Sequence, residues 1–421
     1  MIKIMNQSKL IEALRQKGVA IPQPAAVDIG MDVNIAHISG EGVVLYPGVK
    51  IYGSDTVISA GVKLGYEGPV TIENCRLGPR VELKGGFFRA SVLLGGSSLD
   101  GGAHVREGCL LEEEVKTGHT VGLKQTILFP FVTLGSLINF CDCLMAGGTD
   151  RKNHSEVGSS YIHFNYTPQQ DKATPSLIGS VPEGVMLRQK AIFLGGQGGL
   201  VGPARIGFGT VIAAGVVYRG DCPEGGTLIA DVQHDIRSKP FHPGLYGSLA
   251  RRIHNNLFYL ANLLALNQWY IHVRQPFFQS DSLAEALYQG ALNTLEAAIQ
   301  ERLKRLDGLA EKMDSSLAQV SQHLKGQAKK KAIQEQKTFR NRWPDMRGVF
   351  VSNLEETLGS NDRRQFLVEL DRTANRWGQY LPTIKALPSV AITCGERWLR
   401  QVVDGIVGHS TSILMGENSD K

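Results

Sequence analysis

The chain has 421 residues, of which 42% are hydrophobic and 20% are charged, and its formal net charge at pH 7 is +5. This length is sufficient for two or three domains with a substantial buried core. The charge excess is too small to predict a nucleic-acid-binding protein, which normally carries a concentrated basic face. The 48 glycines are the unusual feature, and most of them precede residue 245.

The N-terminal segment, MIKIMNQSKLIEALRQKG, is predicted to form a short helix with Ser8 as its N-cap. It lacks the apolar core and cleavage site of a signal peptide. We assign residues 1–26 to this helix, which would cap one end of the next domain. The six cysteines are scattered and form no zinc-ligand pattern, so we expect reduced thiols, no metal site and a cytoplasmic protein.

The following region repeats an aliphatic residue every six positions. Small or β-branched residues come four positions after each of them. The repeat occurs in two regular runs, at Leu99, Val105, Leu111, Thr117, Leu123 and Phe129, and at Leu194, Leu200, Ile206 and Ile212. A period of six fits neither an α-helix nor a simple alternating strand. It suits a coil with three short flat faces, whose aliphatic side chains point inward and stack on the next coil.

This pattern predicts a parallel β-helix over residues 27–220. A Gly-rich β-sandwich is the alternative, but it would not keep six successive positions in register. Residues 221–245 are rich in Pro and Gly and are predicted to be a linker.

Residues 246–421 are predicted to be an α-helical domain, since Gly becomes rare and helical periodicity begins. Seven apolar residues between positions 303 and 324 alternate spacings of three and four, as in a short coiled coil, and can pack within the chain or between subunits. The apolar segment within 248–273 is interrupted by Asn262 and Asn267, so we expect a buried helix and no membrane span. The basic stretch 325–347 could bind an acidic partner, although a solvated helix face is the commoner explanation.

A polar stretch, 149–179, interrupts the six-residue period. It contains Lys-Asn-His at 152–154, Asn-Tyr at 165–166, Lys172 and Leu-Ile-Gly at 177–179, and Leu-Val-Gly-Pro follows at 200–203. These pieces resemble the acetyltransferase half of the bacterial bifunctional enzymes that make UDP-N-acetylglucosamine (N-acetylglucosamine-1-phosphate uridyltransferase/glucosamine-1-phosphate acetyltransferase). The resemblance implies a left-handed hexapeptide-repeat β-helix, acetyl-CoA as cosubstrate without a metal, and a homotrimer with sites between subunits.

The residue types fit acyl transfer from a thioester to an amine. The ammonium must lose a proton, and a histidine is suited to accept it near neutral pH. By resemblance, His154 is this base. Asn165 and Tyr166 would orient the substrate, and Lys172 would neutralise a phosphate.

Structural explanations compete with this interpretation. Asn, His and Tyr side chains in a loop can simply cap the exposed edges of coils. His163 is a second candidate base, but Ile162 and Phe164 alternate with it and place it on one face of a strand. A γ-type carbonic anhydrase uses the same prism with three zinc histidines, yet the ligand spacing here does not match.

This sequence differs in several features from the acetyltransferase family that it resembles. The segment between His154 and Asn165 is shorter, Thr167 and Pro168 replace a glycine and an acid, and an upstream Arg-Pro-Gly and a further lysine have no counterpart. The nucleotidyltransferase half and its Gly-rich loop have no match, so no pyrophosphorylase activity is expected.

Two functions therefore stay open. One is an acyltransferase that transfers an acetyl group from acetyl-CoA to an amino-sugar phosphate or a sugar nucleotide. The alternative is a non-catalytic protein that binds a sugar nucleotide for sensing or assembly, with the helical domain as the arm for a protein partner.

Overall fold

The computed structural model describes residues 2–165, 167–230 and 240–416, without the side chains of residues 2–6. A parallel β-solenoid of about 11 turns is followed by a C-terminal helical region. The predicted fold class, a left-handed parallel β-helix followed by a helical domain, is confirmed.

Each coil contributes one short strand to each of three faces, and within a face every strand pairs in parallel with those of neighbouring coils. The first face contains Asp28–Ile29, Lys50–Tyr52, Val70–Glu73, Gly86–Arg89, Ala103–Val105, Gly122–Leu128, Asn139–Met145, Ile162–Phe164, Gly199–Val201 and Val217–Tyr218. The second face contains Val57–Ile58, Arg76–Leu77, Ser91–Leu93, Cys109–Leu111, Ser176–Ile178 and Arg205–Ile206, together with the second halves of Gly122–Leu128 and Asn139–Met145. The third face contains Val44–Leu45, Lys63–Leu64, Glu82–Leu83, Ser98–Leu99, Lys116–Thr117, Thr133–Leu134, Glu156–Val157, Phe193–Leu194, Val211–Ile212 and Leu228–Ile229.

The six-residue period sets which side chains fill the prism. Leu99 is aligned with Leu83 and Thr117 on the neighbouring coils, and Leu123 is aligned with Val105. All five side chains are buried. The repeated positions therefore point into the prism, as predicted from the sequence, and each aliphatic side chain is covered by its counterparts one coil away.

The N-terminal helix α1 (Ile2–Lys17) caps the first coil with Ile11 and Leu14, which belong to the hydrophobic core of the solenoid. The prediction that Ser8 is the N-cap was wrong, because Ser8 lies inside a helix that begins at Ile2. At the other end, regular pairing continues to Ile229.

The helical domain consists of seven α-helices in the described range 240–416. They are α3 (Ala250–Trp269), α4 (Ser282–Glu311), α5 (Met313–His323), α6 (Gly326–Val349), α7 (Ser360–Trp377), α8 (Tyr380–Ala386) and α9 (Ser389–Met415), while the short α2 (Val181–Gly184) lies in the solenoid. Single turns of other helix types occupy Pro24–Ala26, Ile35–His37, Tyr270–Arg274, Gln275–Phe278 and Leu354–Glu356. No helix in the described part of the chain is long and apolar enough to cross a membrane.

The apolar heptad positions pack within the chain. Leu303, Leu306 and Met313 are buried in the hydrophobic cluster that unites the helices of this domain. The same cluster includes outward-facing residues of the second face, among them Leu110 and Leu144. The sequence could not decide between packing within the chain and packing between subunits, and in this structure the heptads complete the domain's own core.

The helical domain lies against the second face of the prism. Helix α4 contacts four of its strands, and α3 contacts Ser176–Ile178. Ion pairs reinforce the apolar contact: Arg274 binds both carboxylate oxygens of Glu113, and Arg252 lies 2.7 Å from a carboxylate oxygen of Asp171. The second face is therefore occupied within the chain, whereas the first and third faces carry exposed side chains such as Phe164 and Phe193.

Candidate functional site

Two polar insertions leave the solenoid at different corners. The first is a β-hairpin, Gly148–Asp150 paired with Asn153–His154, between the second and third faces. The second contains residues 165 and 167–175, which lie between Ile162–Phe164 of the first face and Ser176–Ile178 of the second. These insertions contain the residues that the sequence selected.

The hairpin is braced against the coil beneath it. The Arg151 guanidinium donates to the backbone oxygens of Glu114 and Phe131 at 3.0 and 2.5 Å, and to Thr133 Oγ1 at 2.8 Å. Asp150 Oδ1 accepts the backbone N–H of Lys152 at 2.7 Å, which tightens the turn. These hydrogen bonds fix the position of the residues that complete the hairpin, Asn153 and His154.

His154 ends this hairpin and has an incompletely paired imidazole. Its Nε2 lies 3.8 Å from Glu156 Oε2, and its side chain is 19% exposed. Its Nδ1 is buried and has no hydrogen-bond partner among the described residues. A neutral imidazole carries a lone pair on one of its two ring nitrogens, and that nitrogen can accept a proton.

Asn165 and Lys172 meet in a network with the helical domain. Asn165 Nδ2 donates to Asp142 Oδ2 at 3.2 Å, and Arg302 of α4 donates to Asp142 Oδ1 at 2.9 Å. Arg302 also donates to the backbone oxygen of Lys172 at 3.2 Å, while the Lys172 side chain is exposed. Tyr166 lies outside the described residues.

The structure brings Asn165 and Lys172 together and leaves His154 apart from them. They lie at the corner between the first and second faces, whereas the His154 hairpin lies at the corner between the second and third. Within one chain, the helical domain occupies the face that separates these corners.

His163 points into the prism, where its ring is aligned with Phe140 and Leu200 of the adjacent coils. Its two ring nitrogens lie 2.6 Å from the Cys141 oxygen and 2.7 Å from Ser176 Oγ. Burial lowers the pKa of His163 to about 4. The ring replaces an aliphatic side chain of the inward stack and is enclosed away from solvent.

Sequence reasoning missed a cleft between the solenoid and the helical domain. It has a volume of about 390 Å³ and includes Arg205 and Phe208 of the solenoid, Phe258 of α3 and Arg400 of α9. One signal was available for Arg205: it occupies the strand position at which the preceding coils carry Leu144 and Leu177 on the outward side of the second face. The helices that close the cleft gave no such signal, because periodicity does not show where a helix docks.

Comparisons with known proteins identify relatives for about half of the chain. The bifunctional protein GlmU of Thermotoga maritima is 29% identical over 214 residues, which are 51% of this chain and 42% of that protein. The GlmU proteins of Pelobacter propionicus and Shouchella clausii are 29% and 25% identical over 223 and 229 residues, 52% and 53% of this chain and 42% and 44% of their own lengths. The chain thus spans less than half the length of these curated relatives.

No family model matches the chain. A solved structure of LpxA from Acinetobacter baumannii aligns with 66% of this chain and 95% of its own, at 13% identity and a TM-score of 0.19, which is too low to support an argument. The resemblance inferred from the sequence motifs is confirmed by the GlmU relatives.

Proposed function

We propose that this chain, as a relative of the GlmU proteins, is an acyltransferase of the hexapeptide-repeat class that uses His154 as general base. The donor would be acetyl-CoA, and the acceptor the amine of an amino-sugar phosphate or a sugar nucleotide. The observation that carries the proposal is the braced hairpin, which holds a partly exposed imidazole at the surface of the solenoid. The six cysteines are unpaired, which supports a reducing compartment such as the cytoplasm.

Acyl transfer requires a base that first accepts one proton and later releases it. His154 takes a proton from the attacking amine as its nitrogen forms a bond to the thioester carbonyl carbon. The tetrahedral intermediate then expels the thiolate as the C–S bond breaks, and the imidazolium returns the proton to sulfur. The products are an amide and free CoA thiol, and no metal is needed. The Glu156 carboxylate lies 3.8 Å from Nε2 of this imidazole.

Substrate binding in this proposal uses two chains. The exposed Lys172 ammonium would pair with a phosphate, and Asn165 and Tyr166 would orient the sugar. Because the corner that carries Asn165 and Lys172 is separated from the His154 hairpin by the helical domain, the base would come from a neighbouring subunit. A closed trimer satisfies this geometry with three equivalent sites.

The first prediction concerns His154. Purified protein is incubated with acetyl-CoA and a panel of amino-sugar phosphates, and the release of free thiol is measured. We expect His154→Gln to lower kcat by at least about 100-fold, since general-base catalysis typically contributes that much.

The matched control is His119→Gln, which removes an exposed imidazole that lies at hydrogen-bond distance from Thr120. It should leave turnover unchanged. Saturable binding of a sugar nucleotide without thiol release from any acceptor would contradict the proposal and favour the non-catalytic alternative.

A further inference from the structure

The cleft between the two domains is built around Arg205. On the second face, Leu144 is aligned with Leu177 and Leu177 with Arg205, so a charged side chain follows two apolar ones at this end of the face. Leu144 and Leu177 are buried in the core shared with the helical domain. Where the row reaches Arg205, the two domains leave a space of about 390 Å³ between them.

The Arg205 guanidinium is held in a fixed orientation. Its Cζ lies 3.6 Å from the centroid of the Phe258 ring, and its Nη1 lies 3.2 Å from His254 Nε2. Because a guanidinium can only donate, His254 Nε2 is the acceptor in this contact. Burial and the Arg205 charge lower the pKa of His254. Burial also lowers the pKa of Arg205, an effect that the Asp221 and Glu224 carboxylates oppose.

Arg205 is not paired with a carboxylate at contact distance among the described residues. Asp221 accepts its backbone N–H, and the Asp221 carboxylate is paired with Arg251 at 3.5 Å. The other guanidinium of the cleft, Arg400, lies 2.5 Å from a carboxylate oxygen of Glu183. Arg205 therefore has guanidinium donors with no carboxylate at contact distance among the described residues, and a planar fork of donors on an aromatic ring suits a phosphate.

The remaining lining includes neutral polar side chains (Ser180, Gln189 and Asn262), apolar side chains and carboxylates. Ile206, Phe208 and Val403 supply apolar walls, while Glu224 and the exposed Asp404 supply carboxylate oxygens. These acids disfavour a ligand that is anionic throughout, but they accept hydrogen bonds from hydroxyl groups. The volume lies at the lower end of the range for small-molecule sites, which fits a ligand of the size of a monosaccharide.

We propose that this interdomain cleft is a second small-molecule site and that it binds a sugar phosphate, with the phosphate on Arg205 and the sugar hydroxyls on Asp404 and Glu224. The site lies within one chain and does not include His154. Its occupant would contact both domains at once.

The test is isothermal titration calorimetry without an acyl donor. The probes are glucose 1-phosphate, glucose 6-phosphate and the corresponding mannose phosphates, with glucose and inorganic phosphate as the two halves of the ligand. At least one hexose phosphate should bind saturably, and at least about tenfold more tightly than either half, because its phosphate and its hydroxyl groups are bound at the same time.

Two substitutions separate the two contacts. Arg205→Gln should weaken the binding of both hexose phosphate and inorganic phosphate by about tenfold or more, with Arg205→Lys intermediate because it keeps the charge without the fork. Asp404→Ala should weaken only the hexose phosphate. Arg219→Gln, which removes an equal charge from an exposed position, is the control and should change neither.

The proposal is overturned if none of the four hexose phosphates binds saturably at up to about 5 mM, a limit of roughly 3 kcal/mol. Equal affinity of the wild type and the Arg205→Gln protein would also overturn it, provided that both proteins melt at the same temperature. The titration is repeated with His154→Gln, in which binding should persist, so that a failure of acyl transfer does not affect this result.

Discussion

His163 shows how a single polar side chain is accommodated in an aliphatic stack. Both of its ring nitrogens have partners, Cys141 and Ser176, so burying the neutral ring leaves no polar atom unsatisfied. Burying the charged ring would cost far more, and burial accordingly lowers its pKa to about 4 from an ordinary value of 6.5. The residue therefore stabilises the fold only in its neutral form.

This produces a pH dependence with a defined sign. The unfolded chain binds a proton at His163 below pH 6.5 and the folded chain only below about 4, so the free energy of unfolding falls as the pH drops from 6.5 to 4. The contribution is at most about 3 kcal/mol. His163→Leu should remove this part of the slope in urea denaturation measured between pH 7 and 4.

The control for this measurement is His119→Leu, in which the histidine lost is exposed. Its stability should follow the wild-type pH profile. A His163→Leu profile parallel to that of the wild type would show that the buried ring does not resist protonation.

Part of the candidate site could be predicted at the residue scale. The motif containing His154 was visible because Lys-Asn-His occurs within a break of the six-residue period. The burial of Asn165 against Asp142 and Arg302 was not visible, because Arg302 comes from a helix far along the chain and no local pattern records that contact. The Asp142 carboxylate, which is paired with Arg302, accepts from Asn165 and holds its side chain in place.

Among the elements, the long helix α9 shows that helix packing depends on where a glycine is placed. A Cβ added at Gly395 would lie 2.4 Å from Met186 Cε and 2.8 Å from the Phe366 ring. A Cβ at Gly408, on the same helix, would meet nothing within 4 Å. The first glycine permits close approach of α7 and of Met186, which follows α2, whereas the second only lowers helix propensity.

Opposite effects on stability are therefore expected within one helix. Gly395→Ala should destabilise the protein by about 1–2 kcal/mol, because the buried Phe366 ring must shift. Gly408→Ala should stabilise it by about 0.5–1 kcal/mol through helix propensity. Thermal and urea unfolding of the two variants measure the difference, and a change of the same sign in both would contradict this view of α9.

The elements of the solenoid were the most predictable part of the fold. Positions such as Leu99 and Leu123 were assigned to the interior from spacing alone, because an inward side chain must recur once per face. The strands that continue across a corner, Gly122–Leu128 and Asn139–Met145, were not predicted. Their continuity depends on pairing between adjacent coils, for which the six-residue period has no distinct signature.

At the scale of the whole molecule, the two domains leave apolar side chains on the first and third faces. Ile162 and Phe164 lie exposed on the first face, and Phe193 and Val211 on the third. The proposed catalytic site requires a second chain, and these faces are the ones available to receive it. The sequence did not show which face the helical domain would occupy, because an apolar helix stripe does not specify its partner.

The corresponding prediction is an oligomer with three times the chain mass of 45.9 kDa, measured by light scattering. Phe193→Asp should dissociate it, because a carboxylate would be buried without a partner. Val390→Asp alters an equally apolar but more exposed site on α9 and should leave the mass unchanged. A wild-type mass equal to that of one chain would remove the basis for a shared site.

Helix α4 lies across strands from four successive coils of the second face: Val57–Ile58, Arg76–Leu77, Ser91–Leu93 and Cys109–Leu111. In a bare solenoid each coil touches only its two neighbours, so coils can peel away singly from a free end. Because α4 packs on several coils at once, a coil beneath it can detach only if the contacts of α4 with the other coils also break. These coils and α4 are therefore expected to unfold as one cooperative unit.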